Sequence, residues 1–116
     1  MKYEISITAI GNLARTFLEN NSSVILLNEG LRPNLADMVV AHTEASLKKD
    51  IAVGDTFTWG PASFKVIAVG SKANQNLRDE GHCTLVFNAE GTMPGQIIVK
   101  GDVLPRLSIG DKLKFK

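Results

Sequence analysis

The chain holds one cysteine, two histidines, few aromatic residues (6%) and no surplus of charge of either sign. Each scarcity removes a class of function. Cys83 alone cannot make an internal disulfide, so nothing implies an oxidising compartment, and within the apolar run HCTLVF a small buried thiol is the expected state. His42 and His82 stand forty residues apart, and with one cysteine they form no ligand spacing, so no zinc centre is expected. Thirteen basic residues face twelve acidic ones, and the longest basic cluster is Lys48-Lys49, so the electrostatic footprint of a nucleic-acid binder is missing. No apolar run approaches membrane-spanning length, and the opening MKYEISITAI alternates polar and apolar residues instead of presenting a basic segment before an apolar one. Direct membrane insertion is not expected, and the protein should be cytoplasmic. Neither GxxxxGK[ST] nor GxGxxG occurs, and no serine lies in a GxSxG elbow, so no nucleotide or other cofactor is expected.

What is present is 44% apolar content over 116 residues, enough for one packed core, so residues 1–116 should form a single domain. Tyr3, Ile5 and Ile7 alternate with Glu4, Ser6 and Thr8, the period of a half-buried strand. Between Asn12 and Asn20, residues Leu13, Thr16, Phe17 and Asn20 fall at helical spacing and predict one or two turns. VILLN (Val24 to Asn28) reads as a buried strand stopping at Glu29-Gly30, and Pro33 opens PNLADM, a single helical turn with proline at its start. VVAHTEA (Val39 to Ala45) follows. Beyond Ile51 the segments DTFTW, FKVIAVG, HCTLVFN, QIIVKG and DKLKFK are strand-like. The one convincing helix of this half runs from Ser71 to Glu80, with Ser71 as N-cap, Ala73, Asn76 and Leu77 along one side and Gly81 as the stop. The pattern predicts a mainly β protein, a small barrel-like domain with one or two short helices.

A weak internal repeat agrees: IAVGDTFTW (Ile51 to Trp59) is echoed by LSIGDKLKF (Leu107 to Phe115). Glycine permits the positive φ of a tight turn and aspartate folds its carboxylate onto neighbouring amides, so the two copies should begin equivalent strands; two ordinary turns with common turn residues would look the same. If VVAHTEA is a strand, His42 and Glu44 share a face with Val40, while the small apolar set Val39, Ala41 and Ala45 faces the other way. That parity places His42 on the outer or rim face, with Glu44 as a weak candidate partner for its ring. By spacing alone, a structural or merely exposed histidine is the commoner outcome. His82 opens HCTLVFN on the polar side of its strand with Thr84, either bonding a loop carbonyl or supporting His42. The Gly70-Ser71 helix start could attract an anion, although N-capping by Ser71 is the more ordinary role.

The stretch AVGSKANQNLRDEGHCTLVFN, followed by PGQIIVKG and IGDKLKF, resembles the glucitol/sorbitol-specific IIA component of the bacterial phosphoenolpyruvate-dependent sugar phosphotransferase system. The matching residues include Ala68-Val69-Gly70-Ser71, Asn76-Leu77-Arg78, Gly81-His82, Thr84-Leu85, Phe87, Pro94-Gly95 and Gly110. In the first half Glu29-Gly30, a proline shortly after, Leu35 and His42 recur in the same order and spacing. The resemblance implies a protein that accepts a phosphoryl group on a histidine from the phosphocarrier protein HPr. It would pass that group to a cysteine of the IIB component, for uptake of glucitol/sorbitol through the IIB/IIC permease. The family's phosphorylated histidine falls on His42, and its second common histidine on His82, expected to support the site without carrying the group. A non-catalytic regulatory or interaction module on the same barrel scaffold is the alternative.

Overall fold

A computed structural model describes residues 1–116. Eight strands and two helices follow one another as β1 (Tyr3–Ile10), α1 (Ala14–Asn21), β2 (Ser23–Asn28), a 3-10 turn (Pro33–Leu35), β3 (Val40–His42), β4 (Thr56–Trp59), β5 (Ala62–Val69), α2 (Ala73–Glu80), β6 (Cys83–Phe87), β7 (Gln96–Lys100) and β8 (Lys112–Phe115). The strands close into a barrel in the order β1-β3-β2-β6-β7-β5-β4-β8, so the mainly β, barrel-like fold expected from the sequence is the one that forms. Closure leaves no unpaired strand edge. Neighbours are antiparallel except for β2 with β3 and β6 with β7. The alternation Tyr3, Ile5, Ile7 points inward as its period requires, and an aromatic cluster fills one region of the interior, with Phe57 and Phe115 ring centroids 4.6 Å apart and Phe64 and Phe87 5.2 Å apart.

Two local expectations need correction. In α1 the buried residues are Ala14 and Leu18, whereas Leu13 is 46% exposed, because the helix begins one residue later than the spacing of Leu13, Thr16 and Phe17 suggested. α2 begins at Ala73 without any side-chain cap, so Ser71 is not its N-cap. The backbone does that work: the Lys72 N–H donates to the Pro94 carbonyl and the Ala73 N–H to the Gly70 carbonyl. Gly81 does end the helix, at φ +61°, with its N–H and that of His82 returning to the Leu77 and Asn76 carbonyls.

The weak repeat of the sequence is the visible trace of a duplicated topology. The units β1-α1-β2-β3-β4 and β5-α2-β6-β7-β8 exchange places without altering the cyclic strand order. Local detail follows. Each first strand carries a register shift, between Ile7 and Ala9 in β1 and between Val66 and Ala68 in β5. Each helix ends in a left-handed residue, Ser22 or Gly81. The turns at Gly54 and Gly110 (φ +96° and +93°) precede β4 and β8, and their N–H groups donate to Val66 and Ile7, which occupy matching places. The carboxylates of Asp55 and Asp111 accept from the Ala52 and Ser108 N–H groups in the same manner. The repeated segments thus begin equivalent strands, as expected. Since both halves solve one packing problem, positions where they differ in polarity point to something other than packing.

Candidate functional site

β3 is only three residues long, and its pairing sets the direction of His42. His42 stands opposite Ile7 of β1 and beside Asn28 of β2, and Ile7 is a core residue, so the imidazole points into the barrel and has no exposed surface. The expected outer or rim position is therefore wrong. The parity argument failed because Val39 and Val40 are both buried: Val40 faces the core, while Val39 lines the grooves beneath the 29–38 segment. Apolar residues on both sides carry no alternation to read.

Inside the barrel both ring nitrogens meet carbonyl oxygens. Nδ1 lies 2.8 Å from Thr43 O, and Nε2 lies 2.8 Å from Gly81 O. Carbonyls only accept, so both contacts are hydrogen bonds only while the ring carries two protons; a neutral ring donates to one and must present a lone pair at the other. Backbone carbonyls, rather than the exposed Glu44, orient the ring. Thr43 is pinned to β1, its N–H donating to Ser6 O and its hydroxyl accepting from the Ser6 N–H. Gly81, by contrast, is a helix-ending turn. It also leaves the space the site uses, since a methyl group there would come within 2.6 Å of Asn28 Cγ and 2.7 Å of His42 Cε1. The Tyr3 ring stands edge-on to His42 with centroids 6.4 Å apart. Burial and the neighbouring Cys83 push the Tyr3 hydroxyl up to about 12, so it stays neutral and cannot serve as a base near pH 7.

Comparison of the halves isolates what is special here. The partner of His42 across β2 and β3 is Asn28; at the matching place in β6 and β7, Phe87 lies beside Val99. The residue in the β1 register shift is Thr8, and its counterpart in β5 is Ile67. Three polar side chains thus stand where the other half has apolar ones. Two of them hold buried atoms without partners, Thr8 Oγ1 and Asn28 Oδ1, each at a cost on the order of 1–3 kcal/mol. Neither residue was singled out from the sequence; the asparagine closing the apolar run VILLN was the available signal.

His82 is half-buried on the polar side of β6, as its alternation with the buried Cys83, Leu85 and Phe87 predicted. Its Nδ1 lies 3.2 Å from Leu26 O, and its ring lines a small groove with Arg32, Leu35 and Glu80. No bond joins it to His42; the two meet only through the backbone of Gly81. Arg32 reaches from the 29–38 segment to Glu80 at the end of α2, with N···O distances of 2.5 and 3.1 Å. The Arg32 hydrogen bond and charge hold the Glu80 carboxyl below its usual range, with His82 adding to the same effect and partial burial opposing it.

The family model described as the glucitol/sorbitol-specific IIA component of the phosphotransferase system matches residues 2–114. This chain belongs to that family. Glucitol/sorbitol-specific EIIA components from Shigella flexneri and Escherichia coli (strain K12) are each 35% identical over 116 residues, covering 98% of this chain and 94% of the relative. The crystal structure of a phosphotransferase-system IIA component from Enterococcus faecalis V583 superposes with a TM-score of 0.87 at 25% identity, covering 97% of this chain and 98% of that one. A IIA component is a phosphotransferase component in sugar uptake, so phosphoryl transfer is the chemistry the buried imidazole has to be weighed against. No helix is long and apolar enough to cross a membrane.

Proposed function

We propose that His42 accepts a phosphoryl group from phospho-HPr on Nε2 and passes it to a cysteine of the IIB component of a glucitol/sorbitol permease, in the cytoplasm. The observation that carries this reading is a histidine enclosed in the barrel, with one nitrogen on a strand-fixed carbonyl and the other against the carbonyl of a helix-ending turn. Nδ1 keeps its proton on Thr43 O, which the β1 strand fixes. Nε2 then has the lone pair and faces the Gly81 carbonyl at a helix end, an unfavourable meeting of two acceptors that is relieved when the ring turns or the helix end yields. In the forward step the Nε2–P bond forms as the N–P bond of the donor histidine breaks, and the donor nitrogen regains its electron pair. In the next step the P–N bond breaks as a thiolate sulfur takes the group. Such transfers pass through a loose transition state that mainly requires in-line placement and charge stabilisation.

Because the resting ring is enclosed, docking of the partner has to uncover it. The element against Nε2 is the end of α2 at Gly81, and Glu80 beside it is fastened to Arg32 of the 29–38 segment. His82 acts on this fastening rather than on the phosphoryl group, so His82→Asn should still be phosphorylated. The test is incubation with phosphoenolpyruvate, enzyme I and HPr, followed by intact-mass measurement. Wild type should gain one acid-labile, base-stable phosphoryl group, and His42→Gln should gain none. A folded His42→Gln protein that still takes up the group refutes the assignment. Labelling of neither protein would favour a non-catalytic module on this scaffold.

A further inference from the structure

We propose that the outer wall formed by β5, β4 and β8, with the adjoining ends of β7 and β1, is a docking surface for an anionic membrane. Along the chain no lysine cluster is longer than a pair, but strand pairing assembles one. Lys65 of β5 stands opposite Lys100 of β7 on one side and opposite Thr56 of β4 on the other. Thr56 exchanges backbone hydrogen bonds with Lys116, and the Lys2 N–H donates to the Phe115 carbonyl, so the row continues past β8 to β1. Lys114, opposite Thr58, and Lys112 extend it along β8. Lys65, Lys100, Lys112 and Lys116 are exposed, and Lys65, Lys100, Lys114 and Lys116 take part in no ion pair. The carboxylates on this wall are Glu4, 3.9 Å from Lys112, and Asp55, which bonds Lys2.

Packing does not call for these charges. The duplication matches the cross-strand pair Lys65 and Lys100 with Ser6 and Thr43, and it matches Lys112 and Lys114 with Thr56 and Thr58. Small hydroxyls therefore suffice at these outward positions in one copy, while the other copy sets two lysines directly across antiparallel strands, which costs stability. An anionic partner accounts for charge placed at that cost. The wall suits a plane rather than a groove. It is the convex outside of a barrel, its strands carry no arginine fork for a single phosphate, and no aromatic ring is exposed on it for a base to stack on. Hydrated point charges on long stems, by contrast, reach a diffuse negative surface from several strands at once. Sugar uptake takes place at a membrane, so a phosphotransferase component of that system works within reach of such a surface. In the ring of eight strands β5 lies opposite β3 and β8 lies opposite β6. Contact through the lysine wall thus leaves the side that carries His42 and the Gly81 turn free for a protein partner.

The test is flotation of the unmodified protein with vesicles of phosphatidylcholine alone and of equal parts phosphatidylcholine and phosphatidylglycerol. It requires no phosphoryl transfer, so its outcome is separate from the role of His42. Wild type should bind the mixed vesicles at low salt, leave them at high salt and ignore phosphatidylcholine. Lys65→Gln/Lys100→Gln should lower the partition coefficient roughly thirtyfold, about fivefold for each lysine near an anionic surface. Lys72→Gln/Arg78→Gln removes the same charge from exposed positions on α2 and should change it by less than about threefold. In wild type, mixed vesicles should also protect the Lys65 and Lys100 amines from acetylation while leaving Lys72 open, a readout that needs no variant. Absence of binding to mixed vesicles, equal losses in the two double variants, or unprotected Lys65 and Lys100 overturns the proposal. Tighter binding to a random-sequence DNA duplex than to mixed vesicles, at the same salt and the same concentration of anionic charge, overturns it as well by giving the wall to nucleic acid.

Discussion

An imidazole with no exposed surface and a carbonyl at each nitrogen is bound to its fold more firmly than a surface nucleophile would be. His42→Leu leaves the Thr43 carbonyl without the Nδ1–H it accepts from, so it should lower stability by about 1–3 kcal/mol, measurable as a shifted urea midpoint at unchanged slope. Gly81→Ala combines a positive φ with a methyl group aimed at Asn28 and His42. It should destabilise by roughly 1–2 kcal/mol from the backbone alone and reduce labelling of His42 as well. A folded Gly81→Ala protein labelled at the wild-type rate would show that the helix end does not control the ring. Reaction with diethyl pyrocarbonate gives a further check. His82 is half-buried with one ring nitrogen free of protein partners, so peptide mapping should find it modified well before His42. The resemblance to a family pattern singled out His42 in the sequence, but the direction of its ring was not legible there. Strand parity in a three-residue β3 comes from register with Ile7 and Asn28, which lie far away in sequence.

At the scale of elements, the strands were readable because period two and turn residues are local properties, and the helix stop at Gly81 because positive φ favours glycine. The start of α2 was not, since the groups that satisfy it are carbonyls of Gly70 and Pro94 rather than a nearby side chain. The Gly-Asp turns were readable too, and one of them carries a pH-dependent link. Asp55, just before β4, bonds Lys2, just before β1, at 2.7 Å. Burial works to raise the Asp55 carboxyl. The Lys2 hydrogen bond, the Ala52 N–H and the charges of Lys2 and Lys49 outweigh it, so the carboxyl lies below its ordinary range. With the folded value below the unfolded value of about 3.9, the link contributes stability above that pH and loses it as pH falls through the folded value. Urea midpoints taken near neutrality and at about pH 3 should therefore differ more for wild type than for Asp55→Asn. Equal losses in the two proteins would remove Asp55 from the acid response.

At the scale of the whole barrel, the duplicated units are interlocked rather than set side by side. β4 ends the first unit but pairs with β5 and β8 of the second, and β8 ends the second unit but pairs with β1 of the first. β2 and β6 form the other junction, where Leu26 faces Cys83. The sequence repeat hinted at duplication only through its last strands, because the remaining equivalence resides in hydrogen bonds and bulges that tolerate different side chains. Interlocking implies that neither unit can open while the other stays closed, so unfolding should be a single cooperative transition. Two probes on different strands can test this. Trp59 lies on β4 and is 2% exposed, while Cys83 lies on β6 and is fully enclosed. Burial pushes the Cys83 thiol up to about 12 against the opposing effect of the Ile97 backbone, so both access and thiolate content suppress its reaction in the folded barrel. Labelling of Cys83 by a thiol reagent across a urea series should then rise with the change in Trp59 fluorescence, at one midpoint. Labelling that begins at clearly lower urea would mean that the β2–β6 junction opens while β4 stays paired, and the barrel would have to be described as two units after all.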